Sequence, residues 1–227
     1  MVTRRKSVEA LIKKCKEAMV DLKRDYEASL QAKEVSEELK VDIKNVLENL
    51  RSCLDYVARD VHEKYVDGDP GRLYFPIRSS VKDFEQAMAK NYGGVKTTAP
   101  GIYAVFEKVQ PFNDPWLGTF NRLNNDNKHE NLVEQTRTET RRVTVSSKGG
   151  GGSVSWGSGV TFGSGVSVMG VPIDPRTQMP VPNSIVETRV EIWVDFKFAE
   201  NNESVIPFLE RSIGRVEQLC DDIYKEL

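Results

Sequence analysis

Apolar residues recur at steps of three and four through the first part of the chain. Val8, Leu11, Ile12, Cys15, Met19, Leu22, Tyr26 and Leu30 form one such stripe, the spacing that gives an α-helix a single core-facing side. A helix is therefore expected over 7–35. Ser36 followed by Glu37 and Glu38 has the form of an N-cap with an acidic first turn. Leu39, Ile43, Leu47, Leu50, Leu54, Val57 and Val61 then mark a second helix to about residue 65, stopped by Asp67-Gly68-Asp69-Pro70-Gly71. Two long helices across a short polar link predict an antiparallel hairpin, although a coiled-coil dimer seam would show the same stripe.

Shorter elements follow. Leu73-Tyr74-Phe75-Pro76-Ile77 is apolar but carries a proline that bars a regular helix. Ser79 or Ser80 caps a third helix running to Gly93 and Gly94. Pro100 opens a fourth, closed by Pro111, and Asp114-Pro115 starts a fifth with Trp116, Leu117, Phe120 and Leu123. The amides Asn124, Asn125 and Asn127 are poor helix formers, so the fifth helix is expected to fray or end within residues 121–132.

After Leu132 the period falls from near 3.6 to 2. Residues 134–146, rich in threonine, valine and arginine, suit a solvent-facing strand. Residues 148–165 hold eight glycines and read as flexible hairpin turns or a mobile loop, and 166–182 as irregular chain with four prolines. Val186, Thr188, Val190, Ile192, Val194, Phe196 and Phe198 alternate with polar residues in the clearest strand of the sequence. Val205, Phe208, Leu209, Ile213, Val216, Leu219 and Ile223 make a closing amphipathic helix that either covers the sheet or returns to the helices. The expected class is α+β: a helical bundle over 1–130, then over 131–227 a small antiparallel sheet with a glycine-rich loop (149–165) and the closing helix.

Composition narrows the function classes. A net charge of −2 with 39% hydrophobic and 29% charged residues gives no global attraction to nucleic acid, so a nucleic-acid reader would need a local basic patch. Arg137, Arg141 and Arg142 supply one, with Arg137 and Arg141 on one face of a strand, diluted by Glu134 and Glu139. Cys15, Cys53 and Cys220 fall in helical apolar patterns and read as reduced core thiols of a cytoplasmic protein. No stretch has the roughly 20 apolar residues of a membrane span, and no signal peptide is expected. Zinc spacings, phosphate-loop order and nucleophile elbows do not occur, so neither a metal nor a cofactor is expected.

The candidate chemistry centres on Asn121-Arg122-Leu123-Asn124-Asn125-Asp126-Asn127-Lys128-His129. Arg122 and His129 stand seven residues apart, and an unbroken helix would put both on one face. A histidine titrating near neutrality can take a proton from a ribose 2′-hydroxyl while an arginine stabilises the phosphorus centre. A surface histidine at a frayed helix end fits the same residues. Arg51 and Asp55, one turn apart beside Leu50 and Leu54, are charges close to a buried stripe and need partners; Asn125, Asp126, Lys128 and His129 are the candidates. The same set could simply pin two helices together. His62, near a helix end among charged residues, reads as a partner of the helix dipole.

Four blocks carry a resemblance. Leu50-Arg51-Ser52-Cys53-Leu54-Asp55-Tyr56-Val57-Ala58, then Phe75-Pro76-Ile77, Gln110-Pro111-Phe112 and Leu123-Asn124-Asn125-Asp126-Asn127-Lys128-His129 resemble, in that order, blocks of an uncharacterised bacterial protein family. The helical half and the Arg122–His129 spacing are similar to HEPN domains, helical-bundle proteins with an R-x4-6-H motif, usually with a polar residue straight after the arginine; here Leu123 follows Arg122. That resemblance implies a dimeric, metal-independent endoribonuclease of a bacterial toxin or phage-defence system. It equally implies, as an alternative, a non-catalytic module that binds RNA, a nucleotide or a protein partner.

Overall fold

The computed structural model describes residues 3–32, 36–129, 135–198 and 203–227, and among these not the side chains of 30–32, 126–129, 135–140, 191–194 and 196. Its elements run α1 (Arg5–Ala32), α2 (Glu37–Tyr65), α3 (Val81–Asn91), the single turn α4 (Val95–Thr98), α5 (Pro100–Lys108) and α6 (Pro115–His129). They continue β1 (Gln135–Ser147), β2 (Ser153–Gly157), β3 (Ser167–Val168), β4 (Val171–Asp174), β5 (Met179–Pro180), β6 (Val186–Phe198) and α7 (Val205–Glu226). The class is α+β, with N-terminal helices, two small antiparallel sheets and a C-terminal helix. Among the described residues no helix is long and apolar enough to cross a membrane.

The chain forms two compact units, Met1–Thr136 with Lys197–Leu227, and Arg137–Phe196. The closing helix thus belongs with the helices and not with the β segment, which moves the expected division after 130. The reason lies in the available apolar area. α7 packs against α1, α2 and α5, burying Phe208, Leu209, Val216, Leu219 and Ile223 among long helical stripes. The β unit has, among the described residues, a core of seven buried side chains.

Helix starts follow local chemistry. Ser36 Oγ accepts from the Leu39 amide at 3.1 Å, Ser80 Oγ from the Asp83 amide at 3.1 Å, and Asp114 Oδ1 from the Trp116 amide at 3.1 Å, each satisfying a donor that the helix leaves open. The α1 stripe (Val8, Ile12, Cys15, Met19, Leu22, Tyr26) is buried within the chain, chiefly against α2 and α7, so the hairpin reading describes it. Asp60, fully buried, accepts from the Arg4 amide at 2.8 Å, Arg4 Nη1 at 2.6 Å and the Tyr224 hydroxyl at 2.8 Å. It ties the start of α1 and the end of α7 to α2. All three thiols are free and buried; burial pushes Cys15 up to about 11 and Cys53 up to about 12, so both stay neutral in the core.

In the β unit the first sheet has the order β2-β1-β6 and the second β3-β4-β5. β1 and β2 pair antiparallel with Val143 opposite Trp156 and Val145 opposite Val154. The turn between them passes through Gly150, Gly151 and Gly152 at φ +79°, +126° and +108°, conformations that side chains resist. Val143 and Val145 are buried together with Trp156, Val168, Val171, Ile173 and Val186, so β1 is not solvent-facing on both sides. The glycine-rich stretch is tied down further on. Phe162 packs edge-on to Trp156 at 5.0 Å, and the Gln178 amide accepts from Phe162 N at 2.7 Å and donates to Phe162 O at 3.1 Å, as a neighbouring strand would.

Candidate functional site

The helical unit is organised around a segment with no regular structure, residues 72–78, between α2 and α3. A buried backbone without a helix or sheet must find its hydrogen bonds elsewhere, and here side chains supply them. Asp55 Oδ1 accepts from the Phe75 amide at 2.8 Å, and Arg51 Nη2 donates to the Phe75 carbonyl at 3.2 Å. The two side chains also pair with each other at 3.1 Å. Gln110 is fully buried; its Nε2 donates to Pro76 O at 2.8 Å and to Phe106 O at 2.9 Å, and its Oε1 accepts from Arg78 N at 2.9 Å. The Tyr92 hydroxyl donates to Tyr74 O at 3.4 Å; burial first and the Asp55 carboxylate second push its ionisation up, which keeps the donor in place.

These bonds make a strap whose side chains divide in two. Leu73, Phe75 and Pro76 are buried, with Phe75 against Phe106 at 4.8 Å. Arg72, Tyr74 and Arg78 are exposed. With Arg51, Asn91, Asn121 and Asn125 they line a cleft of about 540 Å³, within the range of small-ligand sites. The lining holds three arginines and, among the described residues, no carboxylate. Arg51 is the least available of the three: only 8% exposed, it is held by Asp55, Phe75 and, through Nη1, Asn121 Oδ1 at 3.3 Å.

Three of the sequence blocks therefore meet at the fourth: Arg51 and Asp55 from the first, Gln110 from the third and α6 from the last all address the Phe75-Pro76-Ile77 segment or its cleft. Arg51 reaches α6 at Asn121, and Asn125 lines the same cleft. The expected approach of Arg51 and Asp55 to Asp126, Lys128 and His129 lies outside the described side chains. α6 does run unbroken from Pro115 to His129, within the 121–132 span where its end was expected. Arg122 is exposed, and the Leu123 that follows it is fully buried.

Within the basic strand cluster, Arg141 and Arg142 lie on opposite faces. Arg141 shares its strand face with the buried Val143 and Val145 and donates to Met179 Sδ at 2.8 Å, while Arg142, on the opposite face, is exposed; the Arg137 side chain lies outside the described residues. His62, in the last turn of α2, is buried, and its Nδ1 bonds the Asn91 carbonyl at the end of α3 at 2.6 Å. A carbonyl only accepts, so Nδ1 carries the proton. Asn124 is fully buried, with neither amide atom partnered among the described residues. Among the described residues no three His, Cys, Asp or Glu side chains converge to hold a metal ion.

Sequence reasoning missed Arg72, Tyr74, Arg78 and the role of Gln110. Their signal was proximity to Phe75-Pro76-Ile77, a segment without periodicity to say which residues turn outward. No protein-family model matches the chain, and neither a curated protein nor a solved structure matches it.

Proposed function

We propose that the chain is a HEPN-like, metal-independent endoribonuclease of a bacterial toxin or phage-defence system, with Arg122 and His129 as the catalytic pair. The observation that supports this best is the continuity of α6 through His129. Seven residues of α-helix turn two positions to within about 20° of each other and separate them by about 10.5 Å along the axis. The same helix gives Asn121 and Asn125 to the arginine-lined cleft, so one element carries both the binding amides and the Arg–His pair. In the reaction the imidazole takes the 2′-hydroxyl proton and the 2′-oxygen attacks the adjacent phosphorus. The 5′-oxygen of the next nucleotide leaves with a proton, and the guanidinium offsets the charge on the phosphoryl oxygens. The products are a 2′,3′-cyclic phosphate and a 5′-hydroxyl. Two copies of the chain form a cytoplasmic homodimer that sets two such pairs at a shared groove. Arg51 and Asp55 act as positioning residues, through the strap.

A second reading is favoured by one observation. Leu123, where the HEPN pattern has a polar residue, is fully buried, which suits a binding module in which RNA, a nucleotide or a protein partner is held without cleavage. The test incubates the protein with total RNA in EDTA. The enzyme reading expects 2′,3′-cyclic phosphate ends and a loss of roughly two or more orders of magnitude in His129→Ala, about the worth of a general base. Intact RNA leaves the binding module ahead, and cleavage unchanged in His129→Ala traces the activity to a contaminant or another site and removes the Arg122–His129 assignment.

A further inference from the structure

We infer that the strap and its cleft are a binding site for a segment of single-stranded RNA, with a base laid on Tyr74 and successive phosphates on Arg72 and Arg78. The inference deepens the RNA reading above and rests on it for the identity of the polymer.

Charge is the first argument. In a chain of net charge −2, the cleft is lined by three arginines and no carboxylate among the described residues. Arg51 is compensated by Asp55 at 3.1 Å. Arg72 has no hydrogen-bond or ion-pair partner among the described residues, and Arg78 Nη1 reaches only the neighbouring Ile77 carbonyl at 2.9 Å. Two guanidinium forks are therefore open to an anion, and phosphate oxygens match that fork in shape and charge.

The second argument is the ring between them. Tyr74 is 59% exposed, yet its backbone is not a loose loop. The Tyr74 carbonyl is held by the Tyr92 hydroxyl and the next residue by Asp55 and Arg51. A rigidly mounted, exposed aromatic loses little freedom when a base stacks on it. The amides of Asn91, Asn121 and Asn125 in the same lining offer donors and acceptors to a base edge.

The order along the chain selects the ligand. An isolated phosphate would leave Tyr74 unused, and an apolar molecule would face guanidiniums it cannot pair. Arg72 and Arg78 stand at the two ends of the strap with Tyr74 between them, which suits a strand with a phosphate on either side of a stacked base. The strap is also the part of the unit whose backbone is fixed by buried side chains from α2, α3–α4 and α5–α6, so the three groups are set before any ligand arrives.

The experiment uses the full chain and a short fluorescein-labelled 2′-O-methyl oligonucleotide, which lacks the attacking hydroxyl and cannot be cut by the proposed reaction. Anisotropy is read against salt for wild type, Tyr74→Ala and the double variant Arg72→Ala/Arg78→Ala. AMP serves as the competing mononucleotide. Tyr74→Ala should weaken binding by roughly 5- to 150-fold, the worth of one base–aromatic stack. The double arginine variant should flatten the dependence of log affinity on log salt by about 1.4, two phosphate contacts on a single strand. Displacement by AMP with the same residue dependence would support the nucleotide site but overturn its assignment to a strand. No binding of either probe, or binding unaltered in the Tyr74 and arginine variants, overturns the proposal. Probe binding by a protein that cuts no RNA leaves this site standing and removes the ribonuclease reading alone.

Discussion

Replacing Gln110 by methionine keeps the side chain's length and removes its three hydrogen bonds. Gln110 is fully buried and joins Pro76 O, Phe106 O and Arg78 N at 2.8, 2.9 and 2.9 Å. A hydrogen bond contributes about 0.5–1.5 kcal/mol net, and a buried group left unpaired costs about 1–3 kcal/mol. The Phe106 carbonyl lies in the last turn of α5, and the Gln110 backbone amide goes to Glu107 O instead, so this carbonyl loses its side-chain partner as well. About 2–4 kcal/mol is expected for the variant. For a folded unit of this size that corresponds to a melting point lower by roughly 5–15 °C. Urea unfolding followed by far-ultraviolet circular dichroism reports the helices and hence this unit. A second readout addresses the strap itself: trypsin should cut after Arg78 faster in Gln110→Met, because the bond at Arg78 N no longer holds the backbone down. A variant within about 1 kcal/mol of wild type, with unchanged cutting at Arg78, would show that Gln110 does not fix the strap.

Two further outcomes follow from buried and paired groups. Asn124→Leu should stabilise the helical unit by about 1–3 kcal/mol in the same urea titration, since the amide is fully buried and has no partner among the described residues; a loss of stability would contradict that. The Arg215 guanidinium, at 2.6 Å, holds the Asp114 carboxyl below its ordinary range, with the Trp116 amide assisting. A carboxyl depressed in the folded state adds stability above its unfolded value and loses it as pH falls through the folded one. The difference in stability between wild type and Asp114→Asn should therefore be present at neutral pH and close below about pH 4; a gap that widens in acid would refute the pairing.

How far the sequence could be read depended on whether a pattern had a period. Ser36, Ser80 and Asp114 announced helix starts because a cap is local chemistry, and α2 and α7 announced themselves by stripes. The stripe of α7 could not name its partner, since an apolar face fits a sheet or a helix pair equally; packing against α1, α2 and α5 settled it. Residues 149–183 gave no path because β3, β4 and β5 are two to four residues long, too short for alternation to show. What orders them is a side-chain bridge, Gln178 to Phe162, which no spacing rule foretells. In the candidate site, Arg51 and Asp55 were legible as charges beside a buried stripe that needed partners. The partner they found was the backbone at Phe75, with Asn121 beyond it, and a backbone amide carries no mark in a sequence. Arg141 looked like a solvent-facing cation but shares its face with Val143 and Val145, because β1 buries one side.

RNA carrying 4-thiouridine, crosslinked by light to the His129→Ala protein so that the strand stays whole, tests the central claim most directly. The account predicts crosslinks on the strap peptide containing Tyr74 and on α6, competed away by unlabelled single-stranded RNA. Crosslinks confined to residues 137–196, or none above a non-binding control protein, would contradict it.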